Sequence, residues 1–252
     1  MKSILCLLIC TLLFAGCGKK GALIPPEALV PAPASDLQVR QQGDGFRISW
    51  TAPDKEERGR PLRDLAGFRL YRHEVLPPGE DCLACPDSWR PVRSIDLDFL
   101  RDVQRSGDRF FCMDRAVKTS TAYRYSVTAV SRRGAAGRPA FSERRKKVAA
   151  PLPPALKAIP SPTAVTLAFV TPPLTGSERL RFNIYRQRSG EPAPAVPLTP
   201  SPVPGPTYTD QQLDRTVIYH YTVTAVVRID GEEVESEPSN EVAASLSPPE
   251  FR

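Results

Sequence analysis

Histidine, methionine and tryptophan are scarce in this 252-residue chain, with two of each. His73 and His220 are the whole imidazole supply, and neither has a nucleophile or metal-ligand neighbour in sequence, so His-based metal centres and His-dependent triads have little to draw on. His-x-x-x-His, G-x-S-x-G, G-x-G-x-x-G and Walker A patterns are absent. The paired acids Glu56-Glu57 and Glu232-Glu233 fall in predicted turns, where carboxylates solvate a surface and do not face each other across a cleft. No catalytic residue, metal or cofactor is therefore expected. The chain also lacks a long apolar run: Ile4 to Phe14 covers about 11 residues, against about 20 for a permanent membrane-spanning helix.

Charge of one sign is missing as well. The 34 Lys and Arg are interleaved with 28 Asp and Glu, leaving a net charge of +6. That spread gives no basic stripe of the kind nucleic acid requires, and no nucleic-acid partner is expected. The one dense run, Arg144-Arg145-Lys146-Lys147, reads first as a solvated edge strand that blocks sheet-to-sheet pairing. The competing reading is a patch that meets anionic lipid or polysaccharide.

Proline, by contrast, is abundant: 28 residues, roughly twice average usage. Most lie in clusters between apolar runs. Since proline inside a helix costs about 3 kcal/mol, the pattern argues for short strands joined by stiff connections.

At the N-terminus, MKSILCLLICTLLFAGC combines Lys2, the apolar run, and the small residues Ala15-Gly16 ahead of Cys17. This is the anatomy of a secretory signal. The stretch Leu13-Phe14-Ala15-Gly16-Cys17 resembles the bacterial lipobox. That resemblance implies cleavage before Cys17 and a diacylglyceryl/acyl anchor on its thiol, each buried CH₂ contributing about 0.8 kcal/mol. Gly18, in place of an aspartate, points to the outer membrane, and the run from Cys17 to Pro26 looks like the start of small lipoproteins that assist the lipopolysaccharide translocon. Residues 1–16 thus form the expected signal peptide, as a helix, and residues 17–34 a lipidated tether. Pro25 to Pro33 favours polyproline II, and at about 3.1 Å per residue the tether reaches up to about 55 Å.

The body of the chain repeats itself. Leu37-Gln38-Val39 corresponds to Leu156-Lys157-Ala158. The run from Phe46 to Pro53 corresponds to Val165 to Pro172, and Phe68-Arg69-Leu70-Tyr71-Arg72 to Phe182-Asn183-Ile184-Tyr185-Arg186. Tyr123 to Val130 corresponds to Tyr219 to Val226. Each block alternates with period two, so one face is buried and the other wet. These blocks resemble fibronectin type III domains. The resemblance implies an all-β chain of two tandem immunoglobulin-like antiparallel sandwiches, residues 35–150 and 151–245, with 246–252 a disordered tail. It places Trp50 and Phe169 in the two cores and makes Tyr123 and Tyr219 tyrosine corners, whose hydroxyls bond back to nearby backbone. Ala150 to Pro154 is read as a short, semi-rigid linker holding the sandwiches end to end.

The first repeat is longer than the second between its third-strand tyrosine and its Asp114 (Asp210) by about 18 residues, and long insertions in β-scaffolds are where function concentrates. It carries Cys82-Leu83-Ala84-Cys85, and Cys112 follows on a strand. In an oxidising envelope Cys112 pairs with Cys82 or Cys85, a loop of about 26 to 30 residues whose closure contributes roughly 3–4 kcal/mol. Alternatively Cys82 pairs with Cys85 and Cys112 stays buried, or the cysteines form a redox or metal site. No helical pattern follows Cys85 to lower a thiol pKa, and zinc needs four ligands. Asp96 to Val103 is expected to form one or two helical turns, with Leu97 and Leu100 covering the sandwich. The functional expectation is a membrane-anchored cell-envelope binding or scaffold module with a protein or polysaccharide partner. The alternatives are a thiol- or metal-dependent envelope protein, or an accessory subunit of an export or assembly complex.

Overall fold

The computed structural model describes residues 29–173 and 180–248. The signal segment, Cys17, and the C-terminal end of the expected tail lie outside the described residues. The first half contributes β1 (Ser35–Gln42), β2 (Gly45–Thr51), β3 (Leu65–Glu74), β4 (Trp89–Asp96), β5 (Val103–Ser106), β6 (Arg109–Asp114), β7 (Ala122–Ser131), β8 (Ala140–Phe141) and β9 (Arg145–Lys146). The second contributes β10 (Ala155–Pro160), β11 (Val165–Val170), β12 (Arg181–Arg188), β13 (Val203–Pro204), β14 (Thr207–Asp210), β15 (Tyr219–Ile229), β16 (Glu232–Glu235) and β17 (Val242–Ala244). Among the described residues the only helical element is a 3-10 turn, Pro86–Ser88.

Each half is an antiparallel sandwich with fibronectin type III-like strand order. In the first, β1-β2-β6-β5 face β4-β3-β7, with β8 and β9 both on β7; in the second, β10-β11-β14 face β13-β12-β15, with β16 and β17 on β15. Alternation dictates which side chains turn inward. Along β7 these are Tyr123, Tyr125, Val127 and Ala129; along β15, Tyr219, Tyr221, Val223 and Ala225. Trp50 sits edge-on to Phe68 at 5.4 Å and stacks on Phe110 at 6.0 Å. In the second core Phe169 and Phe182 meet at 4.4 Å. All five rings are buried, each contributing on the order of 1.5–3 kcal/mol in apolar transfer.

A second pattern repeats that composition conceals. Asp114 is buried and accepts from Arg72 (2.7 Å) and from the Tyr125 hydroxyl (2.9 Å). Asp210, its counterpart, accepts from Arg186 (2.8 Å) and the Tyr221 hydroxyl (2.9 Å). Both guanidiniums also lie over the ring of the corner tyrosine, Arg72 on Tyr123 at 5.3 Å and Arg186 on Tyr219 at 5.2 Å. A buried carboxylate is tolerated only when paired and hydrogen-bonded, and each sandwich meets that need with the same three residue types.

The halves do not sit simply end to end. β1 pairs in parallel with β16, Gln41 opposite Val234 and Gln42 opposite Glu235, so one sheet of each sandwich merges into a nine-stranded sheet. The Gln41 side chain completes the seam: its amide donates to the Val148 carbonyl (2.7 Å) and accepts the Val148 N–H (2.9 Å). Val148, Val227 and Val234 form a small apolar cluster there. Gly43 adopts φ 54°, a left-handed backbone that favours glycine, and lies against the Glu237 side chain of the second half. Glu237 in turn accepts from Arg115 (2.8 Å).

The basic run does form an edge, but a used one. β9 pairs with β7; Arg145 and Lys146 face Glu232 and Asp230 of the second half, each at 3.9 Å, and Lys147 is buried with its ammonium donating to the Val117 carbonyl (3.3 Å). The expected helical turns at Asp96 to Val103 do not form. Asp96 accepts the Asp98 N–H in a local turn (2.9 Å) and Asp102 takes φ 54°, so the chain reverses directly into β5. Leu97 does pack on the core, whereas Leu100 is exposed.

Candidate functional site: the cleft between the sandwiches

Outward-facing residues of the merged sheet line a cleft of about 490 Å³ between the two halves. From the first half come Arg47 on β2, Phe111 and Met113 on β6, and Gln104 on β5; from the second, Tyr185 and Gln187 on β12 and His220 and Thr222 on β15. The connection from β12 to β13 closes one side: Gln104 donates to the Ala193 carbonyl at 3.1 Å, tying the halves together a second time. Among the described residues β5 has no counterpart in the second half, so this wall is built by the insertion.

The cleft has an apolar floor and a polar rim. Arg47 stacks on Phe111, 4.6 Å from the ring centroid, a cation–π contact. Tyr185 donates to Glu235 (2.7 Å), which also accepts from Thr224. Burial, and then the Glu235 carboxylate, raise the Tyr185 phenol well above its ordinary range; Arg47 opposes them. At the rim, His220 Nδ1 meets Glu241 at 2.8 Å, and Asp102 meets Arg93 at 3.3 Å. Among the described residues no group of three or more His, Cys, Asp or Glu could hold a metal ion.

Of the residues singled out from sequence, Cys112 and His220 border the cleft and the others lie elsewhere. Trp50, Tyr123, Phe169 and Tyr219 are core residues. The corner hydroxyls accept backbone N–H groups five residues upstream: Tyr123 from Lys118 (3.0 Å) and Tyr219 from Asp214 (3.0 Å). The favoured pairing of Cys112 with Cys82 or Cys85 is not formed. Cys82 and Cys85 are bonded to each other, and Cys112 is a buried free thiol. The reason is topological. Cys112 points into the core from β6, in one sheet, whereas Cys82 and Cys85 lie in the β3–β4 connection of the other. There Ser88 Oγ donates to both cysteine carbonyls (2.8 and 2.7 Å), and the Trp89 indole donates to the Leu83 carbonyl (3.0 Å). Burial pushes the Cys112 thiol up, against the pull of Arg93.

No protein-family profile matches this chain, and no curated protein matches it. Solved structures do align with it. The FN1–FN3 domains of chicken CNTN1 align over 86% of this chain and 69% of theirs, at 15% identity and a TM-score of 0.32. The chicken interferon gamma receptor alpha chain aligns over 84% of this chain and 97% of its own, at 9% identity and a TM-score of 0.32.

His73 is the residue that sequence reading passed over. It is buried, with Nδ1 3.2 Å from the Ser88 carbonyl and Nε2 2.5 Å from Asp81. That contact holds the Asp81 carboxyl below its ordinary range and staples the disulfide-closed connection to the sheet. The cleft was missed too, though it left a signal. Phe110-Phe111-Cys112-Met113 breaks the period-two alternation, which happens where both faces of a strand are covered.

Proposed function

We propose that this chain is a lipid-anchored, non-catalytic binding or scaffold module of the bacterial cell envelope, held at a membrane through Cys17 and presenting the concave face of its merged sheet to another envelope macromolecule. The reading rests on one observation above the others: two sandwiches joined by a parallel strand pair, a side-chain amide and an apolar cluster, with a cleft between them. Clefts at domain interfaces are preferred binding sites. The lipobox-like Leu13 to Cys17 and the proline-rich stretch after it support the anchor, and Gly18 after the cysteine supports the outer-membrane location.

A thiol- or metal-dependent role has less support, because Cys112 is kept apart from Cys82 and Cys85 by the sandwich itself. A place in an export or assembly complex is one form the binding role takes, and co-purification identifies it. Capture of the tagged, full chain from cross-linked envelopes, followed by mass spectrometry, tests the proposal. A reproducible envelope partner supports it, and recovery of the chain alone overturns it. Cys17→Ser tests the anchor separately: the variant should leave the membrane fraction with both sandwiches folded, and persistent tight membrane association refutes the anchor.

A further inference from the structure

We propose that the cleft between the sandwiches takes a carboxylate carried on a small apolar or aromatic body, with Arg47 as its anchor. This deepens the binding-module reading and rests on it, but does not depend on the lipid anchor. Charge around the cleft is matched for the acids and unmatched for one base. Each acid near the cleft already has a partner: Asp102 faces Arg93, Glu241 faces His220, and Glu235 accepts the hydroxyls of Tyr185 and Thr224. Arg47 makes no ion pair with any carboxylate of the described residues.

Arg47 is half-buried, with the Phe111 ring under one face of its guanidinium. The ring holds the guanidinium above it, and the N–H groups not turned towards Tyr185 are left to donate, an arrangement that suits recognition of a carboxylate. In an apolar surround that bond is stronger than in water, because the effective dielectric is lower. Met113 and Phe111 on one wall and Tyr185 and Pro194 on the other offer apolar surface to the body of the ligand. The volume of about 490 Å³ lies within the range of small-ligand sites. A cationic ligand would oppose Arg47, and a neutral apolar one would strip water from the guanidinium without replacing its hydrogen bonds. The same chemistry is offered by a free organic acid and by the carboxyl terminus of a partner chain.

Met113 provides the reporter, since Met1 is the only other methionine. The full chain labelled with ¹³C-methyl methionine is titrated with 4-phenylbutyrate and 4-phenylbutyramide. It is then titrated with acetyl-Ala-Ala-Phe carrying a free or an amidated carboxyl. The expected result is a saturable movement of the Met113 methyl signal with the acids, at least tenfold weaker with the amides. Arg47→Gln should weaken acid binding at least tenfold, and Arg47→Lys should restore part of it. A response to phenylbutyrate assigns the site to free acids; a response to the peptide acid alone assigns it to chain termini; both support the proposal. No saturable response, amides that bind like acids, or Arg47→Gln binding unchanged overturns it. If Arg47→Gln is unfolded, the acid–amide comparison on the unaltered chain decides. A partner captured from the envelope, together with no saturable response of Met113 to either acid, would leave the binding-module reading standing and remove this one.

Discussion

The side chain of Gln41 and the backbone of Val148 pair through two hydrogen bonds, the amide of one imitating a neighbouring strand for the other. Both groups are buried at the seam, so removal of the amide leaves a donor and an acceptor without partners. Gln41→Ala should therefore cost about 1–3 kcal/mol, measured by denaturant unfolding. Because the same residue pairs with Val234, the variant should also show a broader distribution of distances between spin labels placed one on each sandwich. Unchanged stability together with an unchanged distribution would remove Gln41 from the lock.

Tyr125 and Tyr221 donate to buried carboxylates, and burial followed by those carboxylates raises both phenols far above their ordinary range. The unfolded chain ionises its tyrosines near pH 10, while the folded chain holds these two neutral. The stabilisation is thus present in full below that pH and is lost as pH rises beyond it, since unfolding then releases protons. Thermal melting should fall steeply above about pH 10, and Tyr125→Phe with Tyr221→Phe should flatten that fall. A double variant with the same alkaline slope would mean that other groups govern it.

Tyr219→Phe removes the acceptor for the Asp214 N–H and should destabilise the second sandwich by about 1–2 kcal/mol. Tyr123→Phe should do the same to the first through Lys118. Two local unfolding effects of this size, read by hydrogen exchange in each half, would establish that both corners are pinned independently.

Cysteine accessibility gives the simplest check. With Cys82 and Cys85 bonded and Cys112 buried with a raised pKa, the folded chain acylated at Cys17 and cleaved before it should react with no maleimide. Unfolding without reductant should expose one thiol, and unfolding with reductant three. Two thiols reacting in the folded state would point instead to a reduced, accessible Cys82 and Cys85.

Much of the fold was legible because alternation and repetition are local signals. Tyr123 to Val130 and Tyr219 to Val226 announce their strands and inward faces by pattern alone, and Trp50 and Phe169 mark the cores. What escaped depends on contacts between residues distant in sequence. The Arg72–Asp114–Tyr125 and Arg186–Asp210–Tyr221 clamps unite three strands that no local window spans. The Cys82–Cys85 bond was set by which sheet each cysteine hangs from, knowledge that spacing does not contain. His73 looked solitary because Asp81 returns to it only through the turn of the β3–β4 connection. The cleft required knowing that two outward faces meet.

The parallel pairing of β1 with β16 also means that the second sandwich shields the first. Detached after residue 150, the first half would bare the backbone donors and acceptors of Gln41 and Gln42, beside the apolar Val148 that the second half now covers. Such a fragment offers incoming chains a ready template for strand addition. The halves are therefore chaperones of each other's open borders, and the chain is not one to divide in the middle.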